Sequence, residues 1–276
     1  LGVYLNKELK KNYKIISAST KSNYTNCDIT KSLSIRKFIK KFKPNIIVNT
    51  VALTSIEICE KNPQKAFSVN SDSLIKLLKN IPKKTYLVHI STDQVYSGHK
   101  GPFNEKQMCN IGVNIYAKSK IKAEKLLKNH KNVLILRTNF FGNTKLSKRK
   151  SLSDIIIDNS INNMKMPLFN DLFFSPLHIS TLCEYIRLCI KKKLIGTYNL
   201  GTKKGISKAE FALKILKFLN LQTKNFYIKN TDDIKSRIPR PKDLRLNSSL
   251  IENKLFIKLP SIEKEIKKLK FNNCRE

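Results

Sequence analysis

TYLVHISTDQVY, residues 85–96, predicts a buried β-strand that ends in polar side chains. The segment from Thr85 to Ile90 is mostly apolar on both faces, which is typical of a strand in a parallel sheet covered on both sides. Ser91, Thr92 and Asp93 follow directly, at the carboxyl end of the strand, where open α/β sheets bind their ligands. The stretch therefore indicates a central strand with a hydroxyl-bearing ligand site at its end.

Helices and strands alternate along the first half of the chain. Apolar periodicity predicts further strands at 13–18, 45–49 and 133–137, and helices at 5–11, 35–43, 63–78 and 113–129. Pro63 stands at the first position of its helix, a place that proline favours. The alternation predicts an α/β fold with a doubly wound, parallel, Rossmann-like sheet.

The pattern changes after Arg137. A loop-rich segment around one helix, about 152–163, precedes helices mixed with short strands at 197–200 and 226–229. We assign residues 1–138 and about 171–200 to a dinucleotide-binding domain, and about 139–170 and 201–276 to a smaller C-terminal α/β substrate lobe. A doubly wound sheet opens with a strand and a glycine-rich turn, whereas this chain opens on a helix at Leu1-Gly2. We therefore expect the first strand and the start of that turn to be missing from the chain.

Lysine dominates the charge. Lys and Arg total 54 against 20 acidic residues, a net charge of +34, but only 8 of the 54 are Arg, the residue suited to bidentate contacts with bases and phosphates. The lysines are spread along the sequence, so we interpret them as a solvated surface that attracts small anions. No apolar run reaches 18 residues, and the six Cys and four His show no metal-ligand spacing. We expect a cytoplasmic protein with reduced thiols and no metal, nucleic-acid or membrane partner.

A Tyr and a Lys stand four residues apart near the start of a predicted helix, at Tyr116 and Lys120. This spacing puts both side chains on one face, where the ammonium favours the phenolate and lets the phenol act as an acid or base. Tyr96 and Lys100 have the same spacing but enclose a turn, so we prefer the first pair. The alternative is a surface Tyr beside a solvated Lys.

Together these features resemble a known enzyme family. Ser-Thr-Asp at a strand end, Tyr-x-x-x-Lys on the next helix and the alternation are similar to the extended short-chain dehydrogenase/reductase superfamily, and within it to the dTDP-4-dehydrorhamnose reductase family. Further similar stretches are NTVALTSIEICEKNP at 49–63, CDIT at 27–30 and RPKDLRLN at 240–247. Phe140 departs from the family, which commonly has Trp there.

The resemblance implies a reduction of a sugar ketone by NAD(P)H. Tyr116 would supply the proton, Lys120 would hold the nicotinamide ribose, and Thr92, with Ser91 in reserve, would hydrogen-bond the carbonyl oxygen. Implied cofactor-binding residues are Gly2, Asp28, Ile29, Thr50, Val51, Ala52, Tyr116 and Lys120. Implied substrate-binding residues are Thr54, Ile56, Phe140 and Arg240, with Arg237 beside the last. For Thr50, Val51, Ala52 and Phe140, simple core packing is the alternative, and for the arginines a surface position.

NADPH is favoured over NADH, because residues 17–21 offer hydroxyl groups and a Lys but no carboxylate for a ribose hydroxyl. The partner implied is a nucleotide-linked sugar, and a homodimer stays open.

Two other functions compete with the reductase. A sugar-nucleotide epimerase or dehydratase would keep the fold, but dehydratases carry an acid pair after the Thr, and here Gln94 follows Asp93. A non-catalytic regulatory subunit, of the kind found in methionine adenosyltransferase, is the second alternative.

Overall fold

A computed structural model describes residues 1–21, 23–107, 111–142, 150–234 and 238–269. The strands are β1 (Ala18–Ser19), β2 (Thr25–Asn26), β3 (Ile46–Asn49), β4 (Tyr86–Thr92), β5 (Val133–Thr138), β6 (Phe140–Phe141), β7 (Met166–Phe169), β8 (Phe173–Phe174), β9 (Leu177–His178), β10 (Gly196–Leu200), β11 (Ile206–Ser207), β12 (Phe226–Lys229) and β13 (Asp243–Leu244). The α-helices are α1 (Gly2–Leu9), α2 (Ser32–Phe42), α3 (Ile56–Lys61), α4 (Pro63–Phe67), α5 (Ser73–Asn80), α6 (Ile115–Leu127), α7 (Leu152–Ile161), α8 (Ile179–Lys191), α9 (Lys208–Phe218), α10 (Ser249–Leu255) and α11 (Ile262–Ile266).

A parallel sheet of β3, β4, β5 and β10 forms the centre of the fold, in the order β10-β5-β4-β3. Val88, Leu134 and Leu136 lie on one face and pack against α1 and α8. Leu87 and Ile135 lie on the other face and pack against α2, α5 and α6. Helices on both faces make the sheet doubly wound, as the alternation predicted.

The predicted strand at 13–18 is wrong in its extent. Of this range only Ala18 is in a strand, and β1 (Ala18–Ser19) pairs in parallel with β2 to form a separate two-stranded sheet. Within the described ranges, no strand pairs with the preceding residues, whose side chains at Tyr13 and Ile15 pack against the core instead. Apolar content thus predicted burial correctly, but a strand also needs a neighbouring backbone.

Most other predicted elements are confirmed. The helix predicted at 63–78 begins at Pro63 and runs through α4 and α5, with a π-helical turn, Ser68–Asp72, between them. The predicted strands at 197–200 and 226–229 correspond to β10 and β12, and the helix at about 152–163 corresponds to α7.

The later elements build a second core. Strands β8, β11 and β13 form one small sheet and β7 pairs with β12 in another. Phe141, Phe174 and Phe211 meet edge to face at the centre of this core. Helix α10, although late in the chain, packs Ile251 and Leu255 against the first core. In the described part of the chain, no helix has the length and apolar character that crossing a membrane would require.

Candidate active site

The carboxyl ends of β3, β4 and β5 lie side by side. Asn49 is in register with His89, and Thr92 is in register with Thr138. This edge of the sheet therefore brings together the loop after β3 and the Ser-Thr-Asp segment after β4.

The sheet face that meets α6 changes character along its length. It is apolar at Leu87 and Ile135, and two residues later along the same face it carries His89 and Arg137. Helix α6 opposes this face with Lys120 and Glu124, whose side chains are buried. Polar groups thus meet polar groups at the end of the sheet where the ligand site is expected.

Helix α6 holds Tyr116 and Lys120 one turn apart. Its start is fixed by two side chains: Asn114 accepts a hydrogen bond from the backbone N–H of Ala117 (2.8 Å), and Glu60 of α3 accepts one from Ile115 (2.7 Å). Tyr116 is 7% exposed and Lys120 is 1% exposed. This burial rules out a surface Tyr beside a solvated Lys.

Lys120 points into the sheet. Its Nζ lies 2.8 Å from the carbonyl oxygen of Ile90 and 2.9 Å from Nε2 of His89. Burial lowers the pKa of Lys120 to about 8, and the carboxylate of Glu124 acts in the opposite direction. The amine is therefore closer to neutrality than an ordinary lysine.

Ser91 belongs to a buried ionic network. Its hydroxyl donates to Oε1 of Glu124 (2.5 Å), and Glu124 forms an ion pair with Arg137 (2.6 Å). Arg137 also donates to the hydroxyl of Tyr96 (2.9 Å). The Ser91 proton is held by a buried carboxylate at 2.5 Å, a shorter contact than the 3.1 Å from the Thr92 hydroxyl to Asp93, so Thr92 is the better placed hydroxyl to donate to a ligand.

Thr92 and Asp93 form the polar end of β4. The Thr92 hydroxyl donates to Oδ1 of Asp93 (3.1 Å), and Asn139 donates to Oδ2 of the same carboxylate (2.7 Å). Burial raises the pKa of Asp93 to about 6. Asp93 therefore orients Thr92 and connects it to the segment that follows β5.

The loop after β3 contacts the start of α1. A Cβ added at Gly2 would lie 3.2 Å from Oγ1 of Thr50, so a glycine here keeps the helix start close to this loop. Val51 is 43% exposed, which excludes simple core packing, while Thr50 and Ala52 are half-buried. The N-terminus of α1 beside Thr50 is the kind of helix end that binds phosphate groups.

Asp28 and Ile29 lie further along, after β2. The Asp28 carboxylate accepts hydrogen bonds from the backbone N–H (2.9 Å) and hydroxyl (2.6 Å) of Thr30, which hold the pKa of Asp28 below its usual range. Ile29 packs against the second face of the sheet. The turn is thus fixed by its own hydrogen bonds.

Ile56, Tyr116 and Ile238 belong to one apolar cluster, which joins α3, α6 and the loop before β13. Asn114 donates to the carbonyl oxygen of Pro239 (3.1 Å), so the same loop is tied to the start of α6. These contacts place the loop that carries Arg240 close to Tyr116.

Arg240 pairs with Glu57 but leaves the N–H of its Nε unpaired among the described residues. Its Nη2 donates to Glu57 (2.5 Å), whereas its buried Nε has no hydrogen-bond partner among the described residues. Gly98 anchors the adjoining turn: its φ is +79°, and a Cβ there would lie 2.1 Å from Cβ of Pro241. A partly exposed guanidinium whose buried Nε–H is unpaired in the described part of the chain fits an anionic ligand.

The remaining predicted substrate residues are accessible. Thr54 is exposed and Phe140, on β6, is 37% exposed, so Phe140 is not a core residue. Arg237 lies outside the described residues. Within the described ranges, no group of three or more His, Cys, Asp or Glu side chains could hold a metal ion.

Comparison with known proteins identifies the family. The family model described as "RmlD substrate binding domain" matches residues 1–272. The chain belongs to this family. Among curated relatives, this RmlD-family chain is 27% identical over 258 residues to the spore coat polysaccharide biosynthesis protein SpsK of Bacillus subtilis (strain 168), covering 91% of this chain and 87% of that protein.

A second curated relative is a subunit of methionine adenosyltransferase. The RmlD-family chain is 25% identical over 231 residues to methionine adenosyltransferase 2 subunit beta of Bos taurus, covering 80% of this chain and 68% of that protein. Among solved structures, its fold is similar to dTDP-4-dehydrorhamnose reductase from Bacillus anthracis in complex with NADP, with a TM-score of 0.81, 23% identity, and coverage of 96% and 94%. The resemblance seen in the sequence is confirmed, and so is the Rossmann-like fold.

Several polar residues of this site were missed from the sequence. His89, Asp93, Asn139 and Glu124 were assigned no chemistry. A signal existed for Glu124: it follows Lys120 by one turn on the face of α6 that also carries Tyr116, a spacing that predicts a charged stripe facing the sheet. For Asn139, the partner lies 46 residues away, and no sequence pattern connects them.

Proposed function

We propose that this RmlD-family chain is an NADPH-dependent reductase that converts the 4-keto group of a dTDP-linked 4-keto-6-deoxy sugar to a hydroxyl group. The product would be a dTDP-rhamnose-type sugar for a surface polysaccharide, made in the cytoplasm. The observation that carries the proposal is the buried pair of Tyr116 and Lys120, packed against the strand that ends in Thr92.

Three side chains divide the reduction in this proposal. NADPH, when bound, supplies the hydride that adds to the carbonyl carbon. Tyr116 gives its hydroxyl proton to the carbonyl oxygen, and the resulting phenolate takes a proton from solvent before the next turnover. Lys120 would hydrogen-bond the nicotinamide ribose, and Thr92 would donate to the carbonyl oxygen as negative charge develops there. Thr92 has one proton, so it must release Asp93 to do this.

The proposed cofactor site lies along the loop after β3. Gly2, Thr50, Val51 and Ala52 would line it near the ribose and diphosphate, with Asp28 and Ile29 near the adenine. Residues 17–21 carry no carboxylate, and Lys21 is exposed beside Ser19, whose hydroxyl accepts the Lys21 N–H (3.2 Å). An exposed ammonium supports NADPH over NADH, because it offsets the charge of a 2′-phosphate.

The proposed substrate site lies across α6 from the cofactor. Arg240 would bind the diphosphate through its unpaired Nε, and Thr54, Ile56 and Phe140 would contact the sugar or the base. The names of two similar proteins support the substrate class, since one acts in polysaccharide biosynthesis and the other is a dTDP-4-dehydrorhamnose reductase crystallised with NADP. A homodimer remains part of this proposal.

The decisive experiment follows NADPH oxidation by the full-length protein with a dTDP-4-keto-6-deoxyhexose. We expect turnover, and a loss of about 100-fold or more in kcat for Tyr116→Phe, because the proton donor is removed. Tyr227→Phe, at a half-exposed tyrosine of β12, is the matched control and should keep the wild-type rate. Turnover that survives Tyr116→Phe would remove Tyr116 from the mechanism.

A second candidate function is a non-catalytic subunit. The observation that favours it is the similarity to methionine adenosyltransferase 2 subunit beta. NADPH binding without sugar-dependent oxidation would support this role, whereas net oxidation of NADPH would exclude it. The same measurement separates an epimerase, which leaves the cofactor unchanged overall.

A further inference from the structure

The segments that precede the four strands of the central sheet lie together at one edge, opposite the candidate active site. All four strands are parallel, so the segments before β3, β4, β5 and β10 meet at the amino ends of the strands. Two hydrogen bonds join neighbouring segments: Asn132 Nδ2 donates to the carbonyl oxygen of Lys83 (3.0 Å), and the Tyr86 hydroxyl donates to that of Leu194 (2.5 Å). With strands about 4.8 Å apart, the four segments span roughly 15 Å across the sheet. We call this surface the amino edge.

Lysine dominates the amino edge. Residues 41–45, 79–85, 128–132 and 191–195 together number 22, of which ten are Lys and none is Asp, Glu or Arg. Over the whole chain, Lys and Arg together make up only 54 of 276 residues. All ten side chains are exposed, and none forms an ion pair with another described residue. They are Lys41, Lys43, Lys79, Lys83, Lys84, Lys128, Lys131, Lys191, Lys192 and Lys193.

Helix dipoles account for only part of this charge. Three of the lysines lie in the last turn of a helix, where they stabilise the partial negative charge of the helix end. Four others lie beyond the helix caps: Lys83, Lys84, Lys131 and Lys193. Like charges gathered on one edge repel one another and destabilise the folded chain. Their concentration here therefore points to a partner of opposite charge.

An exposed aromatic ring adds an apolar group to the same edge. Phe256 follows α10 with a φ of +57° and is 87% exposed. The Nζ of Lys192 lies 4.3 Å from the centroid of this ring and donates to the carbonyl oxygen of Lys254 (3.1 Å). Ile195, in the same segment as Lys192, is 50% exposed. Exposed apolar side chains surrounded by lysines are typical of surfaces that lie on anionic lipid.

A hollow of about 530 Å³ lies between the segments before β4 and β5. Lys83, Lys84 and Lys131 line it with exposed side chains, and the buried Leu87 and Val133 line its apolar part. An anionic phospholipid pairs a phosphate group with apolar chains, so the chemistry of the hollow matches such a molecule.

We propose that the amino edge binds the surface of a membrane that contains anionic phospholipids, with its lysines on the headgroup phosphates and Phe256 at the boundary between headgroups and acyl chains. Binding is peripheral, and it is independent of the proposed reductase activity. The proposal revises the expectation of no membrane partner, because the lysines are spread over residues 41–193 in the sequence and the parallel strands gather them on one edge. The bound protein keeps the candidate active site, at the opposite edge, open to solution.

Sedimentation with lipid vesicles tests the role of charge. We expect the protein to bind vesicles of equal parts phosphatidylglycerol and phosphatidylcholine in about 0.1 M NaCl, and to bind vesicles of phosphatidylcholine alone about 100-fold more weakly. Lys191→Gln/Lys193→Gln should lower binding to the anionic vesicles roughly 20-fold, because each lysine near anionic lipid contributes about fivefold.

A matched control removes the same charge from the opposite edge of the sheet. Lys203 and Lys204 are exposed in the loop after β10, whose five residues separate them from the amino edge by roughly 15 Å. This distance exceeds the Debye length of about 10 Å at the salt concentration used. Lys203→Gln/Lys204→Gln should therefore bind the anionic vesicles as the wild type does.

The sequence contains no Trp, which allows a direct test of Phe256. Phe256→Trp introduces a single Trp, whose fluorescence emission should shift to shorter wavelength with the anionic vesicles as the indole leaves water. Tyr227→Trp, at a half-exposed position of β12, should show no shift.

Three results would overturn the proposal: equal binding to both kinds of vesicle, unchanged binding of Lys191→Gln/Lys193→Gln, or an unshifted emission of Phe256→Trp. A protein that leaves vesicles unbound but binds a single-stranded oligonucleotide through Lys191 and Lys193 would also overturn it, because the edge would then be a nucleic-acid site. NADPH oxidation measured in parallel keeps the two proposals separate. Vesicle binding without turnover would count against the reductase and leave the membrane surface standing.

Discussion

Burial of Lys120 makes the stability of the protein depend on alkaline pH in a way that one substitution can isolate. The pKa of Lys120 falls from 10.5 to about 8 on folding because the ammonium loses its hydration. Between these values the unfolded chain binds a proton that the folded chain does not. The free energy of unfolding should therefore rise as the pH increases from 8 to 10.5. Below pH 8 both states bind the proton, and the stabilisation gained in this window is absent.

The size of the effect follows from the width of the window. Each pH unit contributes about 1.4 kcal/mol, so the free energy of unfolding should gain about 3 kcal/mol between pH 8 and 10.5 from this lysine alone. Lys120→Met keeps the length and burial of the side chain but removes the titrating group. The difference between wild type and variant should grow by that amount across the window, with the wild type gaining.

Urea unfolding at a series of pH values measures this difference. Tyrosines and cysteines also titrate here, but they cancel between the two proteins. Lys118→Met, at an exposed position on the same helix, should follow the wild-type pH dependence. Wild-type and Lys120→Met curves that run parallel from pH 7 to 10.5 would refute the reasoning, because Lys120 would then hold its proton as firmly when folded as when unfolded.

Three further predictions test other parts of the structure. Glu124→Gln leaves the buried guanidinium of Arg137 without its counter-ion and should cost about 3–5 kcal/mol in urea unfolding, and a loss below 1 kcal/mol would contradict the buried pair. Arg240→Met should raise KM for the dTDP-sugar about tenfold with little change in kcat. Glu57→Gln, which only releases the arginine, should not raise KM. A KM of Arg240→Met equal to that of the wild type would argue against a diphosphate site. Leu134→Ala, at a fully buried position of β5, should cost about 2–5 kcal/mol, measured as a lower urea midpoint with an unchanged slope.

Local patterns predicted much of this fold. Pro63 marked the first residue of its helix, and the apolar runs at 45–49 and 133–137 became β3 and β5. These predictions succeeded because burial and helix starts depend on a few neighbouring residues. The strand at 13–18 failed because pairing depends on a backbone that sequence order does not supply.

The site was predictable only in part for a related reason. The Tyr116–Lys120 spacing lies within one helix, and the helix period places both side chains on one face. Lys120 and His89 are 31 residues apart in the sequence, and Asp93 and Asn139 are 46 residues apart. Such contacts follow from strand order and register, which apolar periodicity does not encode.

The side chain of Asn114 bonds both to the start of α6 and to the loop before β13. Its oxygen caps α6 at Ala117, and its amide nitrogen holds the carbonyl oxygen of Pro239 in the loop that carries Arg240. A movement that pulls this loop away therefore also loosens the first turn of the helix that bears Tyr116. The loop and the helix start should open together as one cooperative unit, and a ligand that holds Arg240 in place should slow the exchange of the Ala117 amide hydrogen with solvent deuterium.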